Sequence, residues 1–121
     1  MHELSIAQEL LRLCQARLEA GQRLQYVRIA VGELASVEPD LLRFAWQAVT
    51  AGTPHATAVL DVAWCPARQR CDACGEIAER QPGSWLRLCP QCGQALRVEG
   101  GDQLDLLTLT PAATELKEVT P

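Results

Sequence analysis

Four cysteines constrain this chain more than any other feature. Cys71, Cys74, Cys89 and Cys92 fall in two short motifs, C-D-A-C-G and C-P-Q-C-G, separated by fourteen residues. Each motif puts two sulfurs on one tight turn, where Gly75 and Gly93 permit the backbone conformation that turns amides toward sulfur. Two such turns complete a tetrahedron of thiolates, the closed set that structural zinc takes. No position is left for water or substrate, which favours a structural role over hydrolysis. Iron accepts the same four sulfurs, so a rubredoxin-like electron carrier remains an alternative that colour would reveal.

The rest of the chain frames that site. Its 121 residues suit one ordinary domain with a small appendage. Hydrophobic residues at 48% and charged residues at 21% predict a folded, soluble protein. No apolar run approaches the roughly 20 residues that span a bilayer, and no basic start leads into an apolar stretch. The chain therefore reads as cytoplasmic and without membrane contact, where thiols serve metals rather than disulfides. Aromatic residues are only 4%, so Leu, Val, Ala and Ile must carry the core, with Trp46, Trp64 and Trp85 as its rare large side chains.

Charge excludes two further classes. Net charge is −4 and the single lysine is Lys117, so no broad basic surface exists for phosphate backbones. Zinc ribbons often bind nucleic acid, but residues 65–100 hold five arginines against four acids, with only Trp64 and Trp85 for stacking. No nucleic-acid partner is expected. Lys117 also lacks the glycine-rich turn of a P-loop, so no P-loop nucleotide site is expected.

Periodicity supplies the elements. Leu4, Ala7, Leu11, Cys14 and Leu18 recur at helical spacing, with Ser5 and Gln8 in an S-x-x-Q capping pattern and Gly21 as a left-handed stop. Val27, Ile29 and Val31 alternate in a strand that Gly32 ends. Pro39 opens a second helix carrying Leu41, Leu42, Ala45, Trp46 and Val49 up to Gly52. Strands follow at Ala58–Trp64 and Gln103–Thr110. The expected fold is α+β: two helices packed on a small three-stranded sheet, with an inserted zinc-ribbon subdomain. Residues 1–65 with 101–110 form the main domain, 66–100 the insert, with Gly100 and Gly101 as a hinge, and 111–121 a frayed tail. Cys14 reads as a core residue, Cys65 as strand-end packing or a spare thiol near the metal, and His55 as a solvated loop residue.

The N-terminus is the second place where chemistry concentrates. With a free terminus, Met1-His2-Glu3 offers an α-amine, main-chain amide nitrogens and an imidazole in adjoining chelate rings, a nearly planar nitrogen set that suits nickel(II) or copper(II) rather than zinc. The bulky His2 should leave Met1 in place. Taken alone, a second-position histidine is also an ordinary solvated side chain, and Glu3 an ordinary helix-start charge.

The start M-H-E-L-S-I-A, the stretch V-G-E-L-A-S-V-E-P-D-L-L-R-F-A-W and the two cysteine motifs, in this order and spacing, resemble the HypA/HybF family of hydrogenase nickel-incorporation proteins. The resemblance covers all but the tail. It implies a non-enzymatic metallochaperone that binds transported Ni(II) through Met1, His2 and Glu3, with Asp40 approaching the metal, and holds structural Zn(II) on Cys71, Cys74, Cys89 and Cys92. Implied partners are a HypB-type GTPase and the [NiFe]-hydrogenase large-subunit precursor, with urease maturation proteins and homodimers found among relatives. Both amine and imidazole must shed protons to coordinate, so acidification should favour nickel release. The rivals are the iron redox carrier and a zinc-ribbon adaptor that binds proteins or RNA; neither needs His2 or a free terminus.

Overall fold

The computed structural model describes residues 2–77, 80–81 and 83–113. Helix α1 runs His2–Arg17, strand β1 Leu24–Gly32, helix α2 Pro39–Thr50 and strand β2 Val59–Cys65. The insert holds β3 Arg68–Cys71, β4 Gly75–Glu76 and β5 Arg97–Glu99, and β6, Leu104–Pro111, returns to the main sheet. That sheet has the order β2-β1-β6, with β1 parallel to β2 and antiparallel to β6. Parallel neighbours need a crossover, and α2 provides it. No described helix is long and apolar enough to cross a membrane.

One face of β1 carries Val27, Ile29 and Val31, and it meets Ala7, Leu10 and Cys14 of α1 and Leu42, Ala45 and Trp46 of α2 in one core. Burial drives the Cys14 thiol up to about 11, so it stays a neutral core group. Glu38 precedes α2 and accepts the Asp40 N–H at 2.7 Å, while Pro39 starts the helix where no intrahelical N–H is needed.

Four expectations change. Because α1 starts at His2, Ser5 lies a turn inside the helix and cannot be its N-cap. Only Trp46 is a core tryptophan: Trp64 and Trp85 remain 44% and 43% exposed. Leu41, grouped with the buried side of α2, is 51% exposed. His55 is no solvated residue: it is 5% exposed, and its Nδ1 accepts the N–H of the fully buried Leu24 at 3.1 Å. The imidazole thus caps the start of the central strand. His55→Ala should cost about 1–3 kcal/mol from the orphaned N–H alone. His55→Asn, which returns an acceptor, should recover part of it in urea denaturation.

The expected tail lies, from residue 114, outside the described residues. Before it, the Ala112 N–H donates to Arg23 O at 2.7 Å, which fastens the end of β6 beside the start of β1.

The insert leaves and re-enters the main domain at one narrow neck. There the Leu34 N–H donates to Gly101 O at 2.5 Å and the Gly32 N–H to Gln103 O at 2.7 Å. A Cβ on Gly32 would sit 2.1 Å from Gly101 O, and one on Gly101, whose φ is +78°, would sit 2.5 Å from the Ala67 Cβ. These glycines allow a close crossing of backbones, which is a different use from the loose hinge expected of Gly101. Gly32→Ala should destabilise the protein by on the order of 3 kcal/mol, because the facing atoms are main chain and cannot step aside; chemical denaturation checks it.

Candidate metal centre

The insert folds around the cysteines. Strand β3 pairs with β4 and β5 in a small antiparallel sheet of order β4-β3-β5. The first knuckle, Cys71–Cys74, is the turn of the β3-β4 hairpin, where Cys71 pairs with Gly75. The second is closed by the Cys89 N–H donating to Gln94 O at 2.8 Å and the Gly93 N–H to Cys89 O at 2.9 Å. Gly75 and Gly93 have φ of +93° and +78°, the left-handed turn that the C-x-x-C-G pattern predicts.

The four Sγ atoms lie within 4.8 Å of one another, with Cys71 and Cys92 3.4 Å apart. Zinc–sulfur bonds of about 2.3 Å in a tetrahedron imply sulfur separations of about 3.8 Å, so this cluster fits such an ion. Amides prepare the site unevenly. The N–H groups of Gln91 and Cys92 point at the Cys89 sulfur and bring its thiol down to about 7. The sulfurs of Cys92 and Cys89 crowd Cys74 and push it up to about 12. Cys89 is thus the sulfur best prepared to ligate as a thiolate, whereas Cys74 needs a cation to offset the sulfurs around it. Among the described residues this is the one group of three or more Cys, His, Asp or Glu side chains able to hold a metal.

The N-terminal candidates lie at the start of both helices. His2 opens α1 and is exposed. The Glu3 carboxylate accepts the Glu38 N–H at 3.1 Å, and that bond, with its own N–H and the charge of His2, holds its carboxyl below the usual range. Asp40 accepts from Arg43 Nη1 at 2.7 Å. Glu38 therefore joins the segment carrying Glu3 to the one carrying Asp40. Met1 lies outside the described residues. Beside His2 a groove of about 280 Å³ opens between α1 and β6, walled by Ile6, Leu10, Leu13, Leu104 and Leu106.

Sequence reasoning missed the residues that join the insert to the main domain. Glu33, directly after β1, accepts the Ala67 N–H at 2.9 Å on one oxygen, and on the other the Gly83 N–H at 2.7 Å and Arg80 Nη2 at 2.6 Å. Arg80 Nη1 also donates to Ala67 O at 2.7 Å, and the guanidinium lies 3.8 Å from the centroid of the Trp85 ring. The Arg80 and Glu33 side chains are 4% and 9% exposed. Arg80, with the Gly83 and Ala67 amides, lowers the Glu33 carboxyl to about 2. The stabilisation from this carboxylate is complete above its ordinary value of 4.5 and is lost only as pH falls toward 2, so the ion pair is not a switch at neutral pH. Among the described residues Arg80 Nε is buried without a partner, a cost of about 1–3 kcal/mol that partly offsets the pair. Within the insert, Gln69 is 3% exposed and its side-chain amide bonds both the N–H and C=O of Leu86, at 3.1 and 2.9 Å.

The family model described as "Hydrogenase/urease nickel incorporation, metallochaperone, hypA" matches residues 1–110, which hold both candidate sites and the joint between them. The chain belongs to the HypA family. Relatives include hydrogenase maturation factor HypA of Acidithiobacillus ferrooxidans, 37% identical over 90% of this chain and 97% of its own. HypA of Azotobacter chroococcum is 39% identical over 86% of this chain and 93% of its own, and that of Geobacter sulfurreducens 34% over the same shares. The solution structure of the Ni metallochaperone HypA from Helicobacter pylori superposes with a TM-score of 0.55 at 20% identity, covering 88% of this chain and 94% of that one. At that identity the likeness speaks for the fold, which agrees with the expected α+β architecture. The HypA family is one of nickel metallochaperones for hydrogenase maturation, and membership implies hydrogenase-related partners.

Proposed function

We propose that this member of the HypA family captures Ni(II) at its N-terminus and delivers it, in the cytoplasm, to the precursor of a [NiFe]-hydrogenase large subunit, with a HypB-type GTPase as its partner. In this reading residues 1–65 with 101–110 form the nickel module and 66–100 the zinc module. The observation that carries it is the start of α1 at His2, with the next residue anchored through Glu3 to Glu38. The first four N–H groups of a helix have no intrahelical acceptor. The His2 and Glu3 amides are among these, so a metal can claim them without breaking helical bonds. Met1 supplies the amine and His2 the imidazole.

The Glu3 carboxylate acts here as a tether that fixes the direction of the chelating segment, because its oxygen already serves the second helix. Asp40, exposed and paired with Arg43, can exchange that partner for a cation nearby. Cys71, Cys74, Cys89 and Cys92 hold zinc, which supplies a cross-link between the two knuckles when bound. Planar nitrogen and tetrahedral sulfur sets sort two metals within one chain.

Nickel titration of untagged protein, followed by X-ray absorption at the nickel edge, tests the assignment. The expected result is one nickel per chain with nitrogen and oxygen neighbours, and weaker binding as pH is lowered from mildly alkaline to mildly acidic. Nickel among sulfurs, or affinity that ignores pH, would count against it.

A further inference from the structure

We propose that Glu33 is a positioning residue: it grips the loop between the two knuckles and holds the ribbon against the helix-bearing module, and the grip forms only while the four thiolates hold metal. The second part rests on the assignment of zinc to Cys71, Cys74, Cys89 and Cys92. Glu33 itself belongs to the module, where its N–H donates to Cys65 O at 2.9 Å. Two of its three partners, Arg80 and Gly83, belong to the stretch that joins Cys74 to Cys89. The same carboxylate thus binds across the joint, to a segment whose two ends are fixed by different knuckles.

Apart from the Arg80 Nη1 bond to Ala67 O and the Ile77 N–H bond to Gln69 O, few contacts among the described residues place the loop. Ile77 is buried with Cys71 and Cys89, but Trp85, Leu86 and Leu88 are exposed, and Gln69 holds only the Leu86 end. Untying the knuckles removes the cross-link that keeps Arg80 and Gly83 in reach. A carboxylate that stays ionised at neutral pH leaves the metal, rather than protons, as the controlling variable.

The test uses the full chain under reducing conditions, as wild type, Glu33→Gln and Arg80→Met, each zinc-loaded and metal-free. Amide exchange, nitrogen relaxation and zinc content are read on the same samples. Zinc-loaded wild type should tumble as one body with the Ala67 and Gly83 amides protected. Zinc-loaded Glu33→Gln should keep one zinc per chain and the protection of β1, yet lose at least about tenfold protection at Gly83 and let the ribbon reorient separately. Metal-free wild type should lose the same Gly83 protection although its Glu33 is intact. Should Glu33→Gln weaken β1 as well, Arg80→Met removes the grip from the ribbon side and must reproduce the separate motion. One-body tumbling in both variants, or a protected Gly83 in metal-free wild type, overturns the proposal. A wild type that takes up no zinc overturns the cysteine assignment instead.

Discussion

Chelating the zinc, or replacing Cys89 by serine, is expected to unfold the ribbon while leaving the sheet and helices standing. The reason lies in the sizes of the two cores. The ribbon's buried cluster is Cys71, Ile77 and Cys89 with Leu96 packed against it, whereas the module's holds thirteen buried residues. Ordering a residue's backbone costs about 1–2 kcal/mol, and burying a side chain such as Ile returns about 1.5–3 kcal/mol. So small a cluster cannot order some thirty residues. In the proposed reading zinc supplies the difference, since structural zinc contributes roughly 10–16 kcal/mol of apparent folding free energy. No ribbon residue belongs to the module's core, so loss of metal should not spread through it. Amide exchange with and without chelator measures both halves; full protection across residues 71–92 in the metal-free chain would contradict the expectation.

The other large effect is expected at the opposite end of the chain. His2→Ala, or any extension ahead of Met1, should abolish stoichiometric nickel binding and leave zinc content and unfolding midpoint unchanged. Removing a metal's outer-shell partner costs about 10–100-fold in affinity; removing an imidazole ligand together with its chelate ring should exceed that range. His2 is exposed at the first position of α1 and belongs to neither buried cluster, so the fold has no reason to respond. Equilibrium dialysis with elemental analysis of both metals is the measurement. Glu3→Gln should keep most of the affinity, because an amide oxygen can still accept the Glu38 N–H, whereas Glu3→Ala should not.

What could be read from the sequence follows from how far apart the cooperating residues are. Val27, Ile29 and Val31 announce a strand because their spacing is local, and the two knuckles announce a tetrahedron because each is complete within five residues. Glu33 and Arg80 interact across 47 positions, and no periodicity links them. His55 reads as solvated from sequence because Thr53 and Pro54 mark a turn, and turns are usually wet; here the turn folds back so that the imidazole meets the first N–H of β1. Trp64 obeys strand alternation but lies one residue from the end of the edge strand β2, where it stays 44% exposed although its partner Val31 is buried. Strand order was beyond reach for the same reason: alternation says which residues share a face, not which strand is the neighbour.

The central position of β1 also bears on synthesis. Its parallel neighbour β2 follows after one helix, but its antiparallel neighbour β6 is translated only after the whole cysteine-rich segment. A nascent chain emerging from the ribosome therefore carries an open hydrogen-bonding edge on β1 until the last strand arrives, and such edges invite association with other chains. Early metal uptake by the emerging ribbon would shorten the tether between the waiting edge and its missing strand, making metal supply a factor in folding yield.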